Sequence, residues 1–362
     1  MSSIPDVLII GGGIIGLSCA LELARGGASV RLLERDPSCR AASWAAAGLI
    51  APQHSAIGPG PLFELGLRSR ALFPAFVASL GSPAIRWRSN GCLVVARTAD
   101  ELTEVTHRIA WQAALGHAAE LCSPARVRAL EPALAGPQLG GGFFPADADL
   151  DARALLDALT TATQRAGVTV TTGAAVERID VSGGRCAGVR VNGQPVPAGG
   201  VVLAAGAWSA GLAPGFRMPV RPAKGQMCAV QSRGLSRPVR FGVGTLVPRP
   251  VGHTLVGGTL EDVGFEETMQ AAAVERMLAQ AGALVPDIRA AAIVETWAGF
   301  RPRAADDFPV LGPSSVDGLY LATGHFSKGI ALAPVTARLL AGLILEGHRD
   351  PLLVPFEIQR FG

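Results

Sequence analysis

The stretch DVLIIGGGIIGLSCALELARGGASVRLLERD, residues 6–36, decides how the rest of the chain is read. Val7 to Ile10 is a short apolar run without alternation, as in a parallel strand buried on both faces. Gly11-x-Gly13-x-x-Gly16 follows as a turn, and Ile14, Leu17, Leu21 and Ala24 then recur at helical spacing until Gly26-Gly27. Ser29 to Leu33 reads as a second strand, with Glu34 at its end. Each glycine has a separate task in this grammar. Gly11 permits the tight turn, Gly13 lets main chain approach a pyrophosphate resting on the helix N-terminus, and Gly16 lets the helix pack on the strand. Glu34 lies 18 residues beyond Gly16, where a carboxylate can accept hydrogen bonds from a ribose diol. A dinucleotide is the expected ligand.

Composition bounds the rest. With 362 residues, 49% apolar and 17% charged, the chain is longer than one compact core usually holds, so two lobes are expected. A formal charge of +3 without a clustered basic face is not a nucleic-acid footprint. Cysteines at 19, 39, 92, 122, 186 and 228 form no CxxC pair, and no metal is expected. MSSIPD lacks a basic leader region, and the apolar run Val7–Ala24 holds four glycines and Glu22, so no transmembrane segment is expected there. A reduced, cytoplasmic setting follows as the expectation.

A nicotinamide-dependent protein normally continues with another βα unit after Glu34. This chain instead presents AASWAAAGLIAP, residues 41–52. Ser43 offers a hydroxyl to a phosphate, and Ala45-Ala46-Ala47-Gly48 leaves main chain free to lie against a large flat ring. The residues also suit a tightly packed helix start. The two segments together, with VVLAAGAWS (201–209), WAGFRP (297–302) and GLYLATGHFSKGIALAP (318–334), resemble the FAD-dependent D-amino-acid oxidase superfamily, and within it the bacterial glycine oxidases. The likeness covers nearly the whole chain.

That resemblance implies an α/β fold, with a Rossmann-like FAD-binding lobe and a discontinuous α+β substrate lobe built on an antiparallel sheet. The expected division assigns 1–78, 149–214 and 297–362 to the first lobe and 79–148 and 215–296 to the second. It implies non-covalent FAD, since the cysteine that tethers flavin in sarcosine oxidases has no clear counterpart. The implied contacts are Gly11, Gly13, Ile14, Ile15 and Gly16 on the pyrophosphate, and Glu34 and Arg35 at the adenosine side. They continue with Ala42, Ser43, Ala46, Ala47, Gly48 and Leu49 along the ring, Val176 main chain on the adenine, and Ala205, Gly206 and Trp208 beside the dinucleotide. Independently of the family, Asp151 can cap a helix carrying Leu155, Leu156, Leu159 and Ala162, and 84–96, 140–151, 221–230 and 247–262 alternate as antiparallel strands do.

A second glycine-bounded strand-to-helix turn lies at residues 321–334. The strand ends at Gly324, the loop His325-Phe326-Ser327-Lys328 follows, and a helix runs on from Gly329 and Ile330 through Leu339, Leu340, Leu343 and Ile344, with Pro334 placed in its first turn. A helix N-terminus aimed at the flavin would stabilise negative charge near N1 and O2 of the ring. Lys328 either adds a formal charge there or points to solvent.

On the substrate side the family places an arginine at Arg301, which clamps the carboxylate of an amino acid; Arg303 is the competitor, and either could instead pair with Asp306 or Asp307. Hydride transfer from a neutral amine needs no general base, and neither a Ser-His-Asp set nor a His/Cys/Asp cluster is visible. Glycine oxidases place a histidine and a tyrosine before the VPR strand, where this chain has Val243 and Thr245. Ser327 and Lys328 likewise depart from the usual basic residue after GHF. These departures suggest a less polar, roomier pocket, suited to a D-amino acid, sarcosine or a cyclic imino acid. The electron acceptor, oxygen or a quinone or carrier protein, is open, as is homo-oligomerisation. An NAD-dependent dehydrogenase would leave 41–52 and 321–334 without purpose; a non-catalytic flavoprotein would leave Arg301 without one.

Overall fold

A computed structural model describes residues 4–250 and 252–362. At its centre lies a six-stranded sheet. Val7–Ile10 pairs in parallel with Val30–Leu33 on one side and Gly200–Leu203 on the other; Thr169–Thr171 and Leu319–Thr323 extend it, and Val310–Pro313 closes one edge antiparallel. The unbroken apolar runs follow from burial on both faces. Ile9, Leu32 and Val202 point to the helices Ile14–Arg25, Ala152–Arg165 and Gly329–Glu346, while Leu8, Leu33, Val201 and Leu321 point to the opposite side, under the meander Val176–Pro197. Each such side chain contributes about 1.5–3 kcal/mol by leaving water.

The expected helix caps are present. Asp151 accepts hydrogen bonds from Arg153 N and Ala154 N at 3.0 Å each, holding the helix that carries Leu155 and Leu159 into the core. Pro334 differs from expectation. The helix starts at Gly329, so Pro334 stands inside it rather than in its first turn, and leaves the Ile330 carbonyl without its usual i+4 donor. This helix is long and apolar enough to cross a membrane, with mean hydropathy 1.6, yet Ala333, Ala337 and Leu340 are packed into the central core.

The second sheet has eight strands, ordered Ile293–Ala304, Val220–Val230, His253–Gly257, Gly244–Arg249, Val239–Phe241, Cys92–Ala96, Gly140–Phe144 and Glu120–Cys122. The sheet is mixed, because Val239–Phe241 runs parallel to Cys92–Ala96. The lobe boundary expected at 297 falls within Ile293–Ala304, which pairs with Val220–Val230 from Val230↔Ile293 to Val220↔Ala304 and therefore belongs to this sheet. One sheet face packs on the helix Ala271–Leu284 through Val256, Phe241 and Met277. The other turns toward the nucleotide lobe, where Trp297 and Met227 meet Trp44, Ala45 and Leu49.

All six cysteines are free thiols, five of them buried. Burial pushes Cys19 up to about 12 and Cys39, Cys122 and Cys228 up to about 11, and raises Cys92 and Cys186 as well.

Candidate active site

The first turn is built around two glycines that admit no side chain. A Cβ on Gly11 would lie 2.5 Å from the Ala204 carbonyl oxygen, and Gly11 has φ +110°. A Cβ on Gly16 would lie 1.9 Å from the Gly11 oxygen. The helix is thereby pressed against the strand end, and its first amides face outward without intrahelical acceptors. Ile14 N donates to Ser43 Oγ at 2.9 Å, which brings the segment 42–48 to the helix N-terminus and leaves the serine proton for an anion. Glu34 accepts from Gly12 N (2.6 Å) and Asp36 N (2.8 Å). Its main chain bonds Thr171 O and Ala174 N, drawing Val176 to the same end of the sheet. Arg35 and Trp208 lie together, the guanidinium 3.6 Å over the ring, and Trp208 also stacks on Phe265. Ala205 and Gly206 follow the strand Gly200–Leu203; Gly206 has φ +54° and open space where a Cβ would stand.

Ala42–Ala45 forms one helical turn, and the residues after it do more than line a ring. Ala45 O accepts from Trp297 Nε1 at 3.0 Å, and Ala47 O accepts from Arg249 Nη2 at 2.7 Å. Gly48 (φ +76°) must be glycine, because a Cβ would meet the Leu150 oxygen at 2.1 Å. Arg153 lies 3.6 Å over Trp44 and 4.8 Å over Trp297 and pairs with Glu295, so this segment is the clasp between the lobes.

The second turn stands beside the first: a Cβ on Gly329 would lie 4.0 Å from Ile14 Cγ2. Gly324 (φ +72°) and Phe326 (φ +49°) both adopt left-handed backbone, which reverses the chain so that the helix N-terminus opens between the lobes. His325 is buried with Nε2 3.1 Å from Thr336 Oγ1, so its ring faces the helix interior. Desolvation lowers its pKa to about 3. Between the ordinary value near 6.5 and about 3 the unfolded chain binds a proton that the folded one refuses, so falling pH removes stability in that window. Urea unfolding of a His325→Asn variant across pH 3–7 should show a shallower acid slope than the parent; equal slopes would contradict the buried neutral ring.

Arg303 is spoken for. It forms a bidentate pair with Asp307 (2.6 and 3.0 Å), and Asp306 binds Arg360. Arg301 has no carboxylate partner among the described residues; Nη1 donates to the Thr259 carbonyl at 2.9 Å. Its guanidinium lies over Gly225, where a Cβ would come within 2.2 Å of Nη1. Burial and the nearby Arg240 charge lower its pKa. Lys328 is half-buried rather than directed fully to solvent, and burial lowers its pKa too. Ser327 is exposed, and Val243 sits at a hairpin tip, 70% exposed, so neither is enclosed in a pocket.

Thr245 is buried, but its hydroxyl accepts from Arg240 Nη1 at 2.7 Å. Beside Thr245, at the position where glycine oxidases are expected to carry a tyrosine, an arginine arrives from the neighbouring strand. Arg240, Gly225 and Thr259 went unnoticed in the sequence, because only strand register brings them to Arg301. His54, Cys92 and Asp147 also converge within 4.8 Å, although no cluster of these types was visible in the sequence. Asp147 accepts from Gln53 N and His54 N and lies 2.9 Å from His54 Nδ1, while burial holds the Cys92 thiol protonated, which makes this a structural knot.

The fold and the paired turns define a dinucleotide-dependent redox protein. The match to the family model "FAD dependent oxidoreductase" over residues 6–343 is specific: the chain belongs to that family, and FAD is its cofactor. It is 37% identical to the bifunctional protein ThiO/ThiG of Nostoc sp., over 98% of this chain and 55% of that protein, so it spans about half the length of that relative. It is 32% identical to the glycine oxidase of Geobacillus kaustophilus, covering 98% of this chain and 97% of that one, and the crystal structure of that oxidase superposes with a TM-score of 0.94. The iminodiacetate oxidase structure from Chelativorans sp. BNC1 is 26% identical, with a TM-score of 0.87 over 97% of this chain and 98% of that one.

The residues present fit FAD. The Gly11 and Gly16 cradle leaves backbone amides at the pyrophosphate position, Ser43 supplies a donor, Glu34 an acceptor pair, and the helix Gly329–Glu346 a second N-terminus.

Proposed function

We propose that this chain oxidises a small amine that carries a carboxylate: glycine, a D-amino acid, sarcosine or an imino acid. When bound, FAD supplies the two-electron acceptor for the hydride that leaves the α-carbon. The residues of the chain do the rest. The amides of Gly13, Ile15 and Gly16, with Ser43 held in place by the Ile14 amide, would hold the pyrophosphate non-covalently, and Glu34, Arg35 and Val176 would hold the adenosine side. Ala46, Ala47, Gly48 and Leu49 line one side of the ring, and Ala205, Gly206 and Trp208 flank the dinucleotide. The turn from Gly324 to Ile330 directs its helix dipole at the end of the ring where negative charge develops.

Arg301 carries the proposal. It is a guanidinium with no carboxylate at ion-pair distance among the described residues, held by the Thr259 carbonyl, on the sheet face that looks toward the nucleotide lobe. It would bind the substrate carboxylate in two parallel hydrogen bonds and so fix the α-carbon over the flavin. The amine must be neutral when hydride leaves, and its proton departs to solvent. The resulting imine is hydrolysed by water to a carbonyl compound and an amine or ammonia, and oxygen or a quinone or carrier would be the final acceptor of the two electrons.

The test is anaerobic mixing of the purified yellow protein with glycine, sarcosine, D-amino acids, prolines and opines, following flavin absorbance. Bleaching by a carboxylate-bearing amine, and recovery on admitting air or a quinone, is the expected result. A flavin that none of them reduces would overturn the reading.

A further inference from the structure

Strand register places a second arginine on the same sheet face as Arg301. Arg240 is paired with Thr245, Thr245 with Gly257, Gly257 with Met227, and Met227 with Trp297. Directly paired residues share a face, and alternation along Ile293–Ala304 carries that face from Trp297 to Arg301. The chain beyond Gly257 closes the gap: a Cβ on Gly258 would lie 3.2 Å from Arg301 Nη2. Burial is the larger cause of the lowered pKa of Arg301 and Lys328, and the charge of Arg240 adds to it in both.

None of the three has a carboxylate within ion-pair distance among the described residues. The acids that face them are engaged elsewhere. Glu104 binds Arg108, Glu261 binds Gln226 and Thr259, and Asp307 binds Arg303. Among the described residues, the only hydrogen-bond acceptor of Arg240 is the neutral Thr245 hydroxyl. Half-buried cations without an acidic partner are placed to bind anions from outside the chain. A simple amino acid brings one carboxylate, which Arg301 takes, and the developing charge on the flavin falls to the Gly329 helix terminus and Lys328. Arg240 is left over.

We propose that the substrate is a dicarboxylic amine, with one carboxylate on Arg301 and the second on Arg240 and Thr245. This rests on the amine-oxidation reading above and narrows it. The second carboxylate lies toward the Val239–Arg249 hairpin, so it is carried on the nitrogen substituent or side chain that extends from the reacting carbon.

Iminodiacetate and sarcosine test this directly, because they differ only by a carboxylate on the N-methyl carbon. Anaerobic flavin reduction and kcat/KM are measured for both with the holoenzyme and with Arg240→Met and Arg240→Lys. The parent should favour iminodiacetate at least tenfold. Arg240→Met should lower the iminodiacetate-to-sarcosine ratio roughly thirtyfold, the scale of one charged hydrogen bond, and Arg240→Lys should restore part of it. D-aspartate against D-alanine separates a side-chain carboxylate from one on nitrogen. A parent that favours sarcosine and D-alanine, or an Arg240→Met variant that slows both partners of each pair equally, overturns the proposal. Perturbation of the flavin spectrum by succinate and by propionate gives a readout without turnover. If no amine reduces the flavin, the oxidation reading fails, yet Arg240-dependent preference for succinate still supports the dicarboxylate site. Equal affinity for the two acids sinks it. Should Arg240→Met fail to fold, Arg240→Lys carries the same comparisons.

Discussion

Arg301→Ala should lower kcat/KM about a hundredfold and leave FAD bound. The guanidinium has no acidic partner to lose, so truncation strips a charged contact of about 3 kcal/mol from the bound substrate without stranding a buried carboxylate. The fall should appear chiefly as a raised KM, with kcat reduced as well if the carboxylate also aligns the α-carbon for hydride departure. Arg301→Lys should recover little, because an ammonium cannot reproduce the planar fork. The same substitutions test Gly225 indirectly, since this glycine provides the space in which the guanidinium lies. Steady-state kinetics with the flavin-to-protein absorbance ratio as control would check it; unchanged kcat/KM in a fully loaded Arg301→Ala variant would remove Arg301 from the site.

Gly16→Ala should abolish cofactor loading. The new methyl group would stand 1.9 Å from the Gly11 oxygen, about half a van der Waals separation, and the obstacle is backbone. Neither partner can easily retreat. Gly11 N donates to Leu33 O at 2.8 Å, and Leu17 N, next to Gly16, donates to Gly13 O at 3.0 Å. The helix must therefore move off the strand end. That shift costs at least the 1–3 kcal/mol typical of overpacking and carries the pyrophosphate amides out of register. Purified Gly16→Ala protein should be nearly colourless, with a lowered Tm that added FAD does not restore. A variant that purifies with the parent's yellow colour and Tm would show that the turn tolerates a side chain.

How far the sequence could be read depended on how local each feature is. The first turn lies within a few residues of Gly11 and owes its shape to backbone sterics, so it was legible in full. The turn at Gly324 was equally visible as strand, loop and helix, although Pro334 lies beyond the first turn in which its missing N–H would be harmless. Arg301 and Arg303 could not be told apart by spacing, since both project from one face of one strand; what separates them is Asp307, folded back onto Arg303. Arg240 was invisible for a stronger reason. It lies in a three-residue strand whose importance comes from parallel pairing with Cys92–Ala96, where Arg240 stands opposite Val94, 146 residues earlier in the chain. The Asp147 knot is a meeting of distant loops and has no sequence period at all.

The cysteines have a consequence once oxygen is considered as the final oxidant. An oxidase releases hydrogen peroxide into its own surroundings, and peroxide attacks thiolates rather than thiols. Every sulfhydryl here is pushed toward its unreactive protonated form, chiefly by burial, and none is joined in a disulfide. Such a protein could tolerate its own corrosive product through many turnovers without a dedicated scavenging residue.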